Sequence, residues 1–255
     1  MKEARVLVAE FLGTFALTFF GSASIVTVAA LRAAQIGPNA TATLITRSIG
    51  PEGTIFIALA HAIVLAVMIT ALGHVSGGHF NPAVTVAALI GRHIEPLLAG
   101  LYVVSQLVAG LAAALLLKYI YPATFLTLVK WGAPTPAIDN GKALVVEAVL
   151  TFFLVLVVYA TAIDPRGAFN KVAGFGIGLV LLFGMLVGGP LTGAGMNPAR
   201  AFGPSLLAGV VDVNHFVIYW LGPLVGGAVA ALLYQYLLLR PDELTDLSPP
   251  AEEAD

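Results

Sequence analysis

A chain of 255 residues that is 59% hydrophobic and 10% charged, with a mean hydropathy of +0.96, lies far from the composition of a water-soluble domain. The formal net charge is -2 and the twelve Lys and Arg are scattered singly, which excludes a nucleic-acid-binding face. With no cysteine there are no disulfides, thiolate metal sites or cysteine nucleophiles.

These bounds predict an all-α membrane protein, read along the chain as a single domain over residues 1–255 with one repeat at about 5–120 and a second at about 140–239. A helix needs about 20 apolar residues to cross the hydrocarbon core. The first such run, 5–31, exceeds the roughly 7–15 apolar residues of a signal peptide and reads as a retained span. The next is 54–73. It is followed by a stretch, 80–90, too short to cross, that opens on Asn81-Pro82-Ala83; proline at the first helical position after a polar residue is a helix start. Spans follow at 96–120, 142–163 and 172–191, then a second short stretch at 196–209 opening on Asn197-Pro198-Ala199, and a last span at 215–239. The short stretches read as half-helices. The tail, 241–255, with six acidic residues and three prolines, is expected to be disordered.

Six spans put both termini on one side. Lys2, Arg5, Arg92, Arg166, Lys171 and Arg240 then face Arg32, Arg47, Lys118, Lys130 and Lys142 across the membrane, six against five, which favours cytoplasmic termini in a cell membrane.

The two halves repeat. Glu10-Phe-Leu-Gly-Thr14-Phe15 parallels Glu147-Ala-Val-Leu-Thr151-Phe152, and Tyr102…Gln106…Gly110 parallels Tyr219…Pro223…Gly227. Gly73-His-Val-Ser-Gly-Gly-His-Phe-Asn81 parallels Gly189-Pro-Leu-Thr-Gly-Ala-Gly-Met-Asn197. Three spans separate each element from its copy, and an odd number inverts it across the membrane. In that plan broken helices from the two halves meet at the midplane around a permeation site.

Loops holding Gly77, Gly78, His79, Gly193 and Gly195 expose backbone carbonyls at membrane depth, which is tolerable only where the loop lines water or protein. Two half-helices meeting by their N-termini each bring about half a positive charge. The amides of Asn81 and Asn197 stand there as donors, so a passing water turns its oxygen to both and the chain along which a proton hops is broken. Arg200, on the same face of its half-helix as Asn197, adds a fixed charge that repels cations.

Through Asn81-Pro82-Ala83, Asn197-Pro198-Ala199-Arg200, Glu10 with Glu147, and Tyr102…Gln106…Gly110, residues 5–239 resemble the major intrinsic proteins, the aquaporins and aquaglyceroporins. The resemblance implies the aquaporin fold, a passive channel with no enzymatic step, cofactor or metal, and a homotetramer with one pore per subunit. It also implies a selectivity filter of His61, Met185, Ala194 and Arg200. Water-specific members typically have Phe, His and Cys or Thr at the first three positions; the set found here looks like that of the plant tonoplast subgroup, whose wider filters pass ammonia or urea as well as water. Glycerol-conducting members carry Asp and a basic residue where this chain has Ala201 and Ser205, so the glycerol reading loses and a glycerol facilitator is kept only as the alternative within the family.

Several residues have a plainer reading. The resemblance makes Glu10 and Glu147 buried braces for the half-helix loops; the competing possibility is the proton site of an ion-coupled transporter. His79 is expected to line the inner vestibule, His74 to be structural, and His93 and His215 to be ordinary loop or helix-end residues. Gly and Ala on the third and sixth spans are expected to serve close helix packing.

Overall fold

A computed structural model describes residues 2–166 and 172–239. Lys171, Arg240 and the acidic tail at 241–255 lie outside the described residues.

Among the described residues six helical segments are long and apolar enough to cross a membrane: Glu3–Asn39, Gly50–Ser76, Pro96–Ile120, Asn140–Ile163, Ala173–Thr192 and Val213–Leu238. The chain is an integral membrane protein. In chain order the helices are α1 (Lys2–Ile36), α2 (Ala42–Arg47), α3 (Gly50–Ser76), α4 (Pro82–Ile90), α5 (Pro96–Ile120), α6 (Ala123–Leu128), α7 (Asn140–Val158), α8 (Ala173–Thr192), α9 (Pro198–Ala208), α10 (Val213–Phe216) and α11 (Gly222–Leu233). The half-helices α4 and α9 start on Pro82 and Pro198, the helix starts that Asn-Pro-Ala marks, each after an extended asparagine cap preceded by a residue of positive φ, Phe80 or Met196. The first span also outruns its expected end at residue 31. At about 1.5 Å per residue α1 measures about 52 Å, more than the hydrocarbon core requires.

Wide π-helical turns end or begin three helices: Tyr159–Ile163, Val217–Leu221 and Tyr234–Leu238. The second has a local cause. Pro223 lacks an N–H and its ring would press on the carbonyl four residues back, that of Tyr219, which lies in the widened turn.

Packing follows the repeat. α1 lies against α3 and α5, and α7 lies against α8 and α11. The half-helices cross over: α9 of the second repeat packs on α5 of the first, and α4 of the first packs on α11 of the second. Small residues permit this approach. A Cβ on Gly110 would collide with the carbonyl oxygen of Ala199, and one on Gly227 would stand 3.2 Å from that of Ala83. The Asn-Pro-Ala alanine of each repeat thus rests on a glycine of the other. Large aliphatic residues such as Ile63, Val67, Val104 and Val149 are exposed on the outer faces, where lipid can cover them.

Candidate functional site: a cavity between two half-helix caps

α3 and α8 both end on a left-handed glycine, Gly77 at φ 87° and Gly193 at φ 79°. The loops that follow keep the same pattern of positive φ, Gly78 with Ala194 and Phe80 with Met196. Such conformations are unfavourable for Phe, Met and Ala by about 1–3 kcal/mol each and need to be held by their surroundings.

Glu10 and Glu147 hold them. Glu10 Oε1 accepts from Ser76 Oγ (2.7 Å) and the His79 N–H (3.0 Å); its Oε2 accepts from the Phe80 N–H (2.7 Å) and Gln106 Nε2 (2.8 Å). Glu147 repeats the arrangement with Thr192 Oγ1 (2.6 Å) and Gly195 N–H (2.8 Å) on Oε1 and the Met196 N–H (2.7 Å) on Oε2. Only the first repeat has a glutamine here, since Pro223 stands opposite Gln106. Tyrosines of the third and sixth spans close each loop from the other side: Tyr102 Oη donates to the Ser76 carbonyl (2.9 Å) and Tyr219 Oη to that of Thr192 (2.5 Å).

The asparagines form a reciprocal clasp. Asn81 Oδ1 caps α4 by accepting from Ala83 N–H (2.8 Å), while Asn197 Oδ1 caps α9 through Ala199 N–H (3.0 Å) and Arg200 N–H (3.2 Å). Asn81 Nδ2 donates to the Met196 carbonyl and Asn197 Nδ2 to the Phe80 carbonyl, both at 2.8 Å. The half-helices therefore meet N-terminus to N-terminus. Each amide nitrogen has two hydrogens and spends one on the clasp, which leaves the other for the cavity that both side chains line.

That cavity brings together the four residues expected to form a filter. His61 from α3, Met185 from α8, Ala194 from the loop and Arg200 from α9 all line it and are all buried. His61 Nδ1 donates to the Ile57 carbonyl (2.8 Å) and Arg200 Nη2 donates to His61 Nε2 (3.2 Å). A carbonyl can only accept and a guanidinium can only donate, so these partners fix the neutral tautomer with hydrogen on Nδ1. Arg200 Nε and Nη1 are buried and have no hydrogen-bond partner among the described residues, which leaves donors to serve a molecule in the cavity. Leu17, Val84, Leu154 and Leu181 supply its apolar wall.

Further hollows adjoin the cavity. One, sharing Met185, includes Gly193 and Lys130; the other, sharing His79 and Val158, includes Gly77, His93 and Glu95. Of the loop residues expected to line a path, Gly78, His79 and Gly195 line the centre, Gly77 one mouth and Gly193 the other. Glu10 and Glu147 do not line the central cavity; they stand behind its loops, fully buried.

Several contacts were not read from the sequence. Ser76 and Thr192 sit in the aligned stretches, and their pairing was the available signal for the glutamates' hydroxyl donors. His93 behaves as expected, with Nε2 2.9 Å from Gln235 Oε1. His215 is more than a helix-end residue: it is buried and hydrogen-bonded through Nε2 to Ser205 Oγ (2.8 Å), tying α10 to α9.

The family model described as "Major intrinsic protein" matches residues 1–234. Probable aquaporin TIP3-2 of Arabidopsis thaliana is 44% identical over 243 residues, covering 92% of this chain and 84% of the relative. Probable aquaporin TIP4-1 of Oryza sativa subsp. japonica is 42% identical over 244 residues, covering 92% and 87%. In fold, the chain is similar to the X-ray structure of the aquaglyceroporin from Plasmodium falciparum, at TM-score 0.77 and 21% identity over 96% of this chain and all of that one. The chain belongs to the major intrinsic protein family.

Proposed function

We propose that the protein is a passive channel that conducts water, together with ammonia and other small neutral solutes, and excludes protons and ions. The observation that carries this reading is the asparagine clasp at the meeting point of two half-helix N-termini. Donors from both sides converge on one cavity, and Arg200, whose Nε and Nη1 have no hydrogen-bond partner among the described residues, lines the same space. A water there accepts from both amides and cannot hand a proton inward. A cation meets two helix N-termini and a guanidinium with no carboxylate among the cavity's lining residues. The relatives named as aquaporins support water as the conducted molecule.

Ammonia is added because of the filter. His61 is turned onto Arg200, and the apolar Met185 offers no second imidazole, so the constriction presents an apolar wall beside the guanidinium. Stopped-flow light scattering on proteoliposomes tests this, with the wild type beside a His61→Phe and Met185→His double variant. Both fluxes should be fast in the wild type, and the variant should keep water flux while losing ammonia uptake. Loss of neither sinks the widened filter.

The transporter alternative draws no support from the glutamates' surroundings. Each already accepts from three or four donors and lies off the cavity. We further propose a homotetramer in a cell membrane with cytoplasmic termini. The mass of the detergent complex and the accessibility of a terminal tag in intact cells test those points.

A further inference from the structure

The His61 ring leans on a residue that has no side chain. A Cβ built on Gly21 of α1 would collide with His61 Nε2 and stand 2.6 Å from Cδ2 and 3.0 Å from Cε1; these ring atoms are its three nearest neighbours. The ring is fixed elsewhere by Ile57 at Nδ1 and Arg200 at Nε2, and it borders the cavity. Gly21 is not among the residues lining that cavity. Whatever it does to permeation is exerted through His61.

The repeat shows what the position otherwise holds. Gly21 lies eleven residues after Glu10, and eleven after Glu147 stands Val158; His61 lies twelve before Gly73, and twelve before Gly189 stands Ile177. Val158 and Ile177 both line the cavity. The second repeat therefore fills with two branched side chains the place where the first combines an imidazole with a glycine.

We propose that Gly21 is a specificity-determining position: its missing side chain lets the imidazole recess into α1, and this recess sets the width of the filter and the His61–Arg200 hydrogen bond. The inference rests on the filter reading given above. Carbon atoms prefer separations of about 3.5–4.0 Å, so a methyl at 21 would drive the ring tip about 1 Å away from α1 and toward the cavity. Gly21 is a positioning residue that acts through His61, which lines the cavity as Gly21 does not.

The test compares ammonia and water fluxes through proteoliposomes for the wild type, Gly21→Ala, His61→Ala and the double variant. Gly21→Ala should lower the ammonia-to-water ratio about tenfold, the scale on which one methyl group discriminates in a close-fitting pocket. In the His61→Ala background the same substitution should change that ratio by less than about twofold, as for uncoupled sites. An unchanged ratio in Gly21→Ala overturns the assignment, as does an equal change in both backgrounds. If Gly21→Ala does not fold, a double variant that folds supports it, because the colliding ring is gone; a double variant that also fails overturns it. A wild type that carries water and no ammonia instead removes the widened filter itself.

Discussion

Glu10 and Glu147 are two carboxylates inside a membrane protein, and what each does follows from counting donors. Glu10 accepts two hydrogen bonds on each oxygen, whereas Glu147 accepts two on one and one on the other. A glutamine in either place turns an accepting oxygen into a donating nitrogen that faces an N–H, and hydrogen bonds to charged groups are worth about 1.5–3 kcal/mol each. Glu147→Gln should therefore destabilise the protein by about 2 kcal/mol and Glu10→Gln by more, read as a fall in Tm in detergent. Equal Tm values for both variants and the wild type would remove the brace role. The two glutamates were legible in the sequence because they recur in both halves at matching places. Their hydroxyl and amide donors were not, since Ser76 lies 66 residues from Glu10 and Gln106 lies 96 away. The Arg200–His61 bond spans 139 residues and was hidden for the same reason.

Between elements, the decisive contacts are backbone against small residues. A methyl on Gly110 would strike the Ala199 carbonyl, and neither α5 nor α9 has a flexible side chain there that could yield. Overpacking of this kind costs about 1–3 kcal/mol. Gly110→Ala should accordingly lower Tm clearly, and Gly227→Ala, whose added methyl would stand 3.2 Å from Ala83 O, should do so less; the reverse order would contradict the crossed packing. At the ends of the fourth and sixth spans, Asp164 accepts from Arg166 Nη2 (2.9 Å) and Tyr234 Oη (2.9 Å), and Arg166 Nη2 also donates to the Leu238 carbonyl (2.9 Å). The Arg166 guanidinium holds the Asp164 carboxyl below its ordinary value. A depressed folded-state pKa contributes stability that is present above the unfolded value, about 3.9, and is lost as pH falls through the folded one. The Tm gap between wild type and Asp164→Asn should thus be open at neutral pH and close on acidification below about pH 4. A gap that widens with acid would contradict it. The spans themselves were legible from apolar length, and the half-helices from their Asn-Pro-Ala starts. α2 and α6, six residues each, carry no comparable signal. The π-helical turns depend on how the end of a helix packs, although Pro223 marked one of them in advance.

At the scale of the molecule, two inverted repeats exchange half-helices, so neither half completes the cavity alone. Asn81 reaches Met196 and Asn197 reaches Phe80, and the four residues proposed as the filter come from α3, α8 and the second half-helix with its loop. This architecture was readable as a repeat with inversion, because paired motifs survive in sequence. The crossed packing of α9 on α5 and of α4 on α11 was not, because it is a property of the closed structure. The proposed channel passes water at the junction of the two half-helices and stops protons there. It is tested most directly on wild-type proteoliposomes by measuring osmotic water flux and, on the same vesicles, proton leak under an imposed pH gradient with a potassium ionophore to cancel the membrane potential. Water flux should lie well above that of empty liposomes, with proton leak no greater than theirs. Water flux at the rate of bare lipid, or a proton leak that rises with the amount of protein, would contradict it.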